Sequence, residues 1–75
     1  MSSARTPRDV RQREAVRALV RAGGVVDRAG KGSHVRVTMP NGTKVFIPAG
    51  VINTGTLAAI IRQAGLSRDE FVSLL

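Results

Sequence analysis

The sequence predicts one small α+β domain in which three antiparallel strands are covered on one face by helices, in the order α-β-β-β-α-α. Two observations indicate this fold. The chain has 75 residues, which leaves room for a single hydrophobic core. Its middle third alternates apolar and polar residues, whereas both flanks repeat apolar residues at helical spacing. Helices on one face of a three-stranded sheet satisfy the layer rule for such domains.

The first helix is expected to begin close to the amino terminus. Thr6 can cap it, Pro7 suits the first helical position, and Asp9 lies where a negative charge favours the helix dipole. Residues 1–6 are then a mobile tail, and residues 7–75 form the domain. The apolar residues at helical spacing are Val10, Val16, Leu19 and Val20.

Glycines separate the first helix from the sheet. Gly23-Gly24 ends the helix, Val25-Val26 opens a short strand, and Gly30-Lys31-Gly32 turns the chain into the next strand. After the sheet, residues 49–53 form a loop, and Thr54 or a neighbour caps a second helix. That helix ends at Ala64, followed by Gly65, and a Ser67–Glu70 capping box opens the last short helix.

The alternation of the second and third strands decides the register of their hairpin. A two-residue Asn41-Gly42 loop would place Met39 opposite Lys44 and divide the apolar residues between both faces. A three-residue loop, with Gly42 in the left-handed position, pairs Met39 with Thr43 instead. It gathers on one face Val35, Val37, Met39, Val45 and Ile47, and leaves on the solvent-facing side His34, Arg36, Thr38, Lys44 and Phe46.

This register makes Phe46 an exposed aromatic residue across from Arg36. The alternative is a register shifted by one residue, which places Phe46 in the core and turns Val45 and Ile47 outward. The first interpretation is favoured because it exposes one large apolar side chain instead of two. Phe71 is expected in the core. An exposed Phe46 predicts that a binding partner covers it.

Composition limits the function classes. A net charge of +7 and a pI near 11.8 indicate a nucleic acid or an acidic protein as partner, although a merely soluble basic protein is the alternative. Residues 1–36 carry nine basic and three acidic residues. The absence of cysteine excludes a disulfide scaffold and a thiolate zinc site, and one histidine with five acids argues against a dedicated metal site. No cofactor is expected. With no long apolar run and no signal peptide, the chain is expected to be soluble and cytoplasmic, away from membranes.

His34 is the strongest candidate for chemistry, because histidine readily exchanges a proton near neutral pH. It follows Gly32-Ser33, and Lys31 stands between two glycines that allow another molecule to approach the backbone closely. The structural alternative is an incidental strand histidine. Arg13, Arg17 and Arg21 form a separate stripe on the first helix.

Five motifs in order resemble the HicA toxins, the small mRNA-cleaving proteins of toxin–antitoxin pairs. The resemblance runs from about Val16 to Leu75. The motifs are Gly32-Ser33-His34, Pro40-Asn41-Gly42, Val45-Phe46-Ile47-Pro48, Gly55-Thr56-Leu57 and Ile61-Arg62-Gln63-Ala64-Gly65-Leu66. The resemblance implies a fold like that of a double-stranded-RNA-binding domain, an RNA-cleaving role for His34, and a HicB antitoxin that blocks the active site.

Two departures from the resemblance stand out. Gly24 occupies a place where family members commonly have an aromatic or large apolar residue. The loop after Pro48, residues 49–53, lacks the second histidine that many members carry. If that loop grips RNA in relatives, the arginines of the first helix are a possible substitute here.

The leading hypothesis is a metal-independent endoribonuclease toxin. His34 acts as general base or acid while the 2′-hydroxyl of the RNA attacks the adjacent phosphate. Lys31 and Arg36 stabilise the charge that develops on phosphorus, or are ordinary solvated cations. Ser33 positions a phosphate oxygen or, as favoured, only completes the turn. RNA is expected to contact Gly32, Lys44, Phe46 and the arginine stripe.

The same residues allow two other functions. One is a non-catalytic RNA-binding module that uses Arg13, Arg17 and Arg21 on the backbone of double-stranded RNA. The other is a toxin relic that only binds its antitoxin. The expected partners are mRNA and a HicB-like antitoxin, with the free toxin a monomer and the complex a hetero-oligomer.

Overall fold

A computed structural model describes residues 6–27 and 34–75. It confirms the α+β fold and the predicted order of its elements. The elements are α1 (Gln12–Arg21), β1 (Val25–Asp27), β2 (Val35–Thr38), β3 (Lys44–Ile47), α2 (Thr54–Gln63) and α3 (Arg68–Leu74). The strands form one antiparallel sheet in the order β1-β2-β3, with the helices on one of its faces.

The predicted three-residue loop of the β2–β3 hairpin is confirmed. The Met39 N–H donates to the Thr43 carbonyl and the Gly42 N–H donates to the Met39 carbonyl, each over 2.8 Å. Gly42 adopts the left-handed conformation with φ +90°. The register therefore pairs Arg36 with Phe46, as predicted.

The core lies between this sheet and the helices, and it unites the apolar residues that the alternation selected. Each helix contributes fully buried or nearly fully buried side chains to one cluster. Its members include Val37, Val45 and Ile47 from the sheet, Ala15, Ala18 and Leu19 from α1, Leu57, Ile60 and Ile61 from α2, and Phe71 from α3. This single cluster makes one face of the sheet the inner face.

The predicted start of the first helix is wrong. Thr6 and Pro7 precede the helix, Asp9 has a left-handed φ of +58°, and α1 begins only at Gln12. Arg11 occupies the N-cap position, where its backbone N–H donates to the Glu14 carboxylate over 2.9 Å.

Tertiary contacts explain this late start. The Val10 carbonyl accepts from the Ile52 N–H over 2.8 Å, and the Gln12 N–H donates to the Gly50 carbonyl over 3.0 Å. Val10 is only 4% exposed. Pairing with the loop after β3 satisfies the backbone groups of Val10 and Gln12 and buries the Val10 side chain. A helix that began before Val10 would lose these hydrogen bonds and this burial, so the tertiary contacts override the capping signal at Thr6.

The predicted helix boundaries in the carboxyl-terminal part are confirmed. Asn53, the residue before Thr54, caps α2 by accepting from the Thr56 N–H over 2.9 Å. Gly65 ends the helix with a φ of +78°. In the α3 capping box, the Ser67 N–H donates to the Glu70 carboxylate over 2.7 Å and the Glu70 N–H donates to the Ser67 hydroxyl over 3.0 Å.

Gly24 lies where the chain passes from α1 to β1 and is closely surrounded. A Cβ at this position would lie 2.6 Å from Val37 Cγ1, 2.9 Å from the Leu19 carbonyl oxygen and 2.9 Å from the Met39 sulfur. These neighbours belong to the core, so no side chain fits at Gly24 unless the sheet moves away from α1.

We expect Gly24→Ala to lower the free energy of unfolding by about 1–3 kcal/mol, because the methyl group overpacks the core. Gly55→Ala is the matched control, since a Cβ there meets its nearest atom, Asn53 Oδ1, at an ordinary 3.5 Å. Denaturant unfolding of both variants measures the difference. Equal stability of the two variants would contradict the close packing at Gly24.

Candidate functional site

The face of the sheet that the helices leave uncovered, hereafter the outer face, carries a row of three side chains. The register aligns Asp27 on β1 with Arg36 on β2 and Arg36 with Phe46 on β3. Phe46 is 52% exposed, which confirms the predicted orientation. Lys44 is exposed on the same face. The outer face therefore combines an aromatic ring with charged and polar groups.

His34 lies directly before β2 and is exposed. Because side chains alternate along a strand, we expect His34 on the same face as Arg36, two residues further on. The exposed histidine thus lies at one end of β2, and Lys44, which pairs with Thr38, lies at the other. Lys31, Gly32 and Ser33 are outside the described residues, so the roles predicted for them stay predictions.

An ion pair between Arg36 and Asp27 was not foreseen from the sequence. Arg36 Nη2 donates to Asp27 Oδ2 across the β1–β2 ladder. The Arg36 side chain is only 21% exposed, so Arg36 is not an ordinary solvated cation. Within the described residues, its buried Nε has no hydrogen-bond partner. The guanidinium group is held in place with its charge largely balanced.

The missing signal was the register of β1. Alternation in the hairpin aligned Arg36 with Phe46, but Val25-Val26-Asp27 is too short for a pattern of its own. The observed register pairs Asp27 with Arg36 and Val26 with Val37. An acidic residue at the end of a short strand, followed by a strand with an outward arginine, is the pattern that indicates such a pair.

The structure does not bring the predicted arginine stripe of α1 to the outer face. Arg13 and Arg17 are exposed, but α1 packs on the inner face of the sheet. Arg21 Nη1 donates to the Leu74 carbonyl over 2.8 Å, which ties α1 to the end of α3. Arg21 therefore has a structural contact that Arg13 and Arg17 lack.

The described residues contain neither a metal-ligating cluster nor a membrane-spanning helix. In residues 6–27 and 34–75, no three side chains of the metal-ligating types His, Cys, Asp and Glu lie close enough together to hold one ion. No helix in the same ranges is sufficiently long and apolar to cross a membrane. The candidate site is therefore the outer face, where Arg36, Lys44 and Phe46 lie together.

Comparison of the sequence with protein-family models identifies the class of protein to which this fold and site belong. A family model described as the HicA toxin of bacterial toxin–antitoxin systems matches residues 12–66. The match extends from the first residue of α1 through the whole sheet and α2, which is more than half of the chain, and it includes His34. The chain belongs to the HicA toxin family. No curated protein matches the sequence significantly.

Membership has two direct consequences. The chain is the toxin component of a toxin–antitoxin system, and an antitoxin is its expected partner. The family match also covers Gly24 and the loop at residues 49–53, the two places where the sequence leads us to expect a departure from the family pattern. At Gly24 the close packing leaves no room for a side chain.

The two phenylalanines provide a test of the outer face. We expect Phe46→Ala to lower the free energy of unfolding by less than about 1 kcal/mol, because the ring is half exposed. Phe71→Ala, the matched control, removes a ring with 0% exposure and is expected to cost about 3–5 kcal/mol. Thermal and denaturant unfolding measure both. A loss for Phe46→Ala as large as that for Phe71→Ala would contradict the assigned face.

Proposed function

We propose that this toxin is a metal-independent endoribonuclease that cleaves mRNA on the outer face, with His34 as its proton-transfer group. The observation that carries the proposal is an exposed histidine at the edge of a face with a held arginine and an exposed aromatic ring, in a member of a toxin family. Such a combination suits a substrate that has both phosphates and bases.

The proposed reaction uses the RNA's own 2′-hydroxyl as nucleophile. A bond forms between the 2′-oxygen and phosphorus while the bond from phosphorus to the 5′-oxygen breaks, which yields a cyclic phosphate and a free 5′-hydroxyl. His34 accepts the proton of the 2′-hydroxyl or donates one to the leaving oxygen. A single histidine serves one of these transfers at a time, so water carries the other proton. Slow turnover follows.

Arg36 is the proposed electrostatic partner of His34. His34 directly precedes β2 and Arg36 is two residues further on, about 7 Å away along an extended chain. Asp27 holds the guanidinium, so Arg36 meets the developing phosphorane charge without reorganising first. We propose the same charge-stabilising role for Lys31, and a role in the turn for Ser33, with Gly32 allowing close approach.

Further along the outer face, Lys44 and Phe46 are proposed to bind the RNA beyond the reacting phosphate. Lys44 supplies a cation at the hairpin end of β2, and Phe46 offers half of its ring for stacking on a base. This arrangement extends the substrate site along the hairpin from His34.

We propose that the antitoxin is a HicB-like protein that neutralises the toxin by covering the outer face. Phe46 and Val25 are large apolar side chains exposed there, and a protein partner gains free energy by burying them. The free toxin is then a monomer and the inhibited form a hetero-oligomer. Since mRNA is the proposed substrate, the cytoplasm is the proposed site of action.

We expect His34→Ala to lower the rate of RNA cleavage by about 10²–10⁴-fold, since general acid–base catalysis is worth that much. In cells, the induced variant no longer arrests growth. Denaturant unfolding serves as the control, because an exposed histidine contributes little to stability.

Equal growth arrest by parent and variant would contradict catalysis by His34. If purified parent protein binds labelled mRNA without cleaving it, and His34→Ala binds equally well, the chain is the non-catalytic RNA-binding module instead. If neither protein binds RNA but both bind the antitoxin, the chain is a toxin relic.

Asp27→Asn tests the held arginine. Loss of the carboxylate removes one negative charge from the outer face, so KM for RNA falls. It also frees Arg36, so kcat falls. Each change is expected to be up to about fivefold, because a partly exposed pair is worth up to about 1 kcal/mol. Asp69→Asn, an exposed acid of α3 with the same charge change, is the control. A rise in kcat for Asp27→Asn would show that Asp27 does not position Arg36.

A further inference from the structure

The exposed side of α1 carries a second basic region, distinct from the outer face. Arg11, Arg13 and Arg17 line one shallow depression of about 280 Å³ together with Glu14. All three arginines are exposed. These three residues, hereafter the α1 basic surface, bring three guanidinium groups to a region with a single carboxylate.

That carboxylate already has a role in the fold. Glu14 accepts the Arg11 backbone N–H at the start of α1. Within the described residues, the side chains of Arg13 and Arg17 make no hydrogen bond or ion pair. Arg21 and Arg36, in contrast, contact the Leu74 carbonyl and Asp27. The structure of the domain therefore does not account for the positions of Arg13 and Arg17.

The α1 basic surface belongs to the helical layer. Ala15, Ala18 and Leu19 bury the opposite side of α1 in the core. Phe46 lies on the face of the sheet that the helices leave free, and His34 is expected there too. The RNA segment that contacts His34 is therefore not the segment that contacts the α1 basic surface.

We propose that the α1 basic surface binds phosphates of the RNA backbone outside the cleavage site; this inference rests on the proposed RNA substrate. Arginine forms paired hydrogen bonds with phosphate, and Arg13 and Arg17 stand one helical turn apart, with Cβ atoms about 5–6 Å apart. An acidic protein fits less well. Protein interfaces have an apolar centre, whereas the depression is lined only by charged side chains.

The surface makes the toxin a two-point RNA binder. The outer face holds the segment that is cleaved, and α1 holds a more distant stretch of the same molecule without regard to its sequence. Longer RNA is therefore bound more tightly than a short fragment that fills only the outer face.

The test measures binding of a single-stranded RNA oligonucleotide to His34→Ala protein as a function of salt. Arg13→Gln and Arg17→Gln are each expected to reduce the slope of log affinity against log salt by about 0.7, the value for one phosphate contact on a single strand. The matched control is Arg62→Gln, which removes an exposed arginine from α2 and leaves the slope unchanged. The unfolding midpoints of all variants verify the fold.

Equal slopes for Arg17→Gln and Arg62→Gln would overturn the proposal, since net charge alone would explain binding. Unchanged RNA slopes with weaker antitoxin binding would also overturn it, because the surface would then serve a protein. The double variant Arg17→Gln/Phe46→Ala tests whether the two contacts are separate. If they are, its fold-loss in RNA affinity equals the product of the fold-losses of the two single variants. The readout needs no cleavage, so a failure of His34 as catalyst and a failure of this surface appear in different experiments.

Discussion

The pairing of Val37 with Val45 in the β2–β3 hairpin is the constraint on which the rest of the structure depends. Both side chains are fully buried, and a strand that places them inward must place its alternate residues outward. Arg36 and Phe46 reach the outer face for this reason. A one-residue slip of β2 would bury Arg36 and expose Val35 and Val37. The burial of the core and the composition of the site are therefore set by the same register.

The sheet lies close to α1 at Gly24, where the chain passes from the helix into β1. β1 is short and enters the sheet directly after Gly24, whose missing side chain lets the Leu19 carbonyl, Val37 and Met39 come together. Further along β1, the register pairs Asp27 with Arg36. A larger residue at Gly24 would collide with Val37 and Met39, and we expect it to disturb this pairing. Gly24 is thereby linked to the geometry of the proposed site.

Charge is distributed over two layers with different tasks in the proposed mechanism. On the outer face the arginine is balanced by Asp27, which suits a group that must hold its position during a reaction. On α1, Arg13 and Arg17 have no such partner among the described residues, which suits a surface that attracts a polyanion over a longer range. In the proposed mechanism, the net charge of +7 therefore serves binding more than catalysis.

Local patterns in the sequence determined the order of the elements, the three-residue hairpin loop, the capping of α2 and α3, and the exposure of Phe46, because these depend on neighbours a few residues apart. Only the tertiary structure decided the start of α1. There, the hydrogen bond that the Val10 carbonyl accepts from the Ile52 N–H, the one that the Gln12 N–H donates to the Gly50 carbonyl and the burial of Val10 outweigh the capping signal at Thr6. The Asp27–Arg36 pair and the separation of Arg13 and Arg17 from His34 depend likewise on how distant segments meet. No local pattern encodes such meetings, because the free energy that drives them comes from a core assembled by the whole chain.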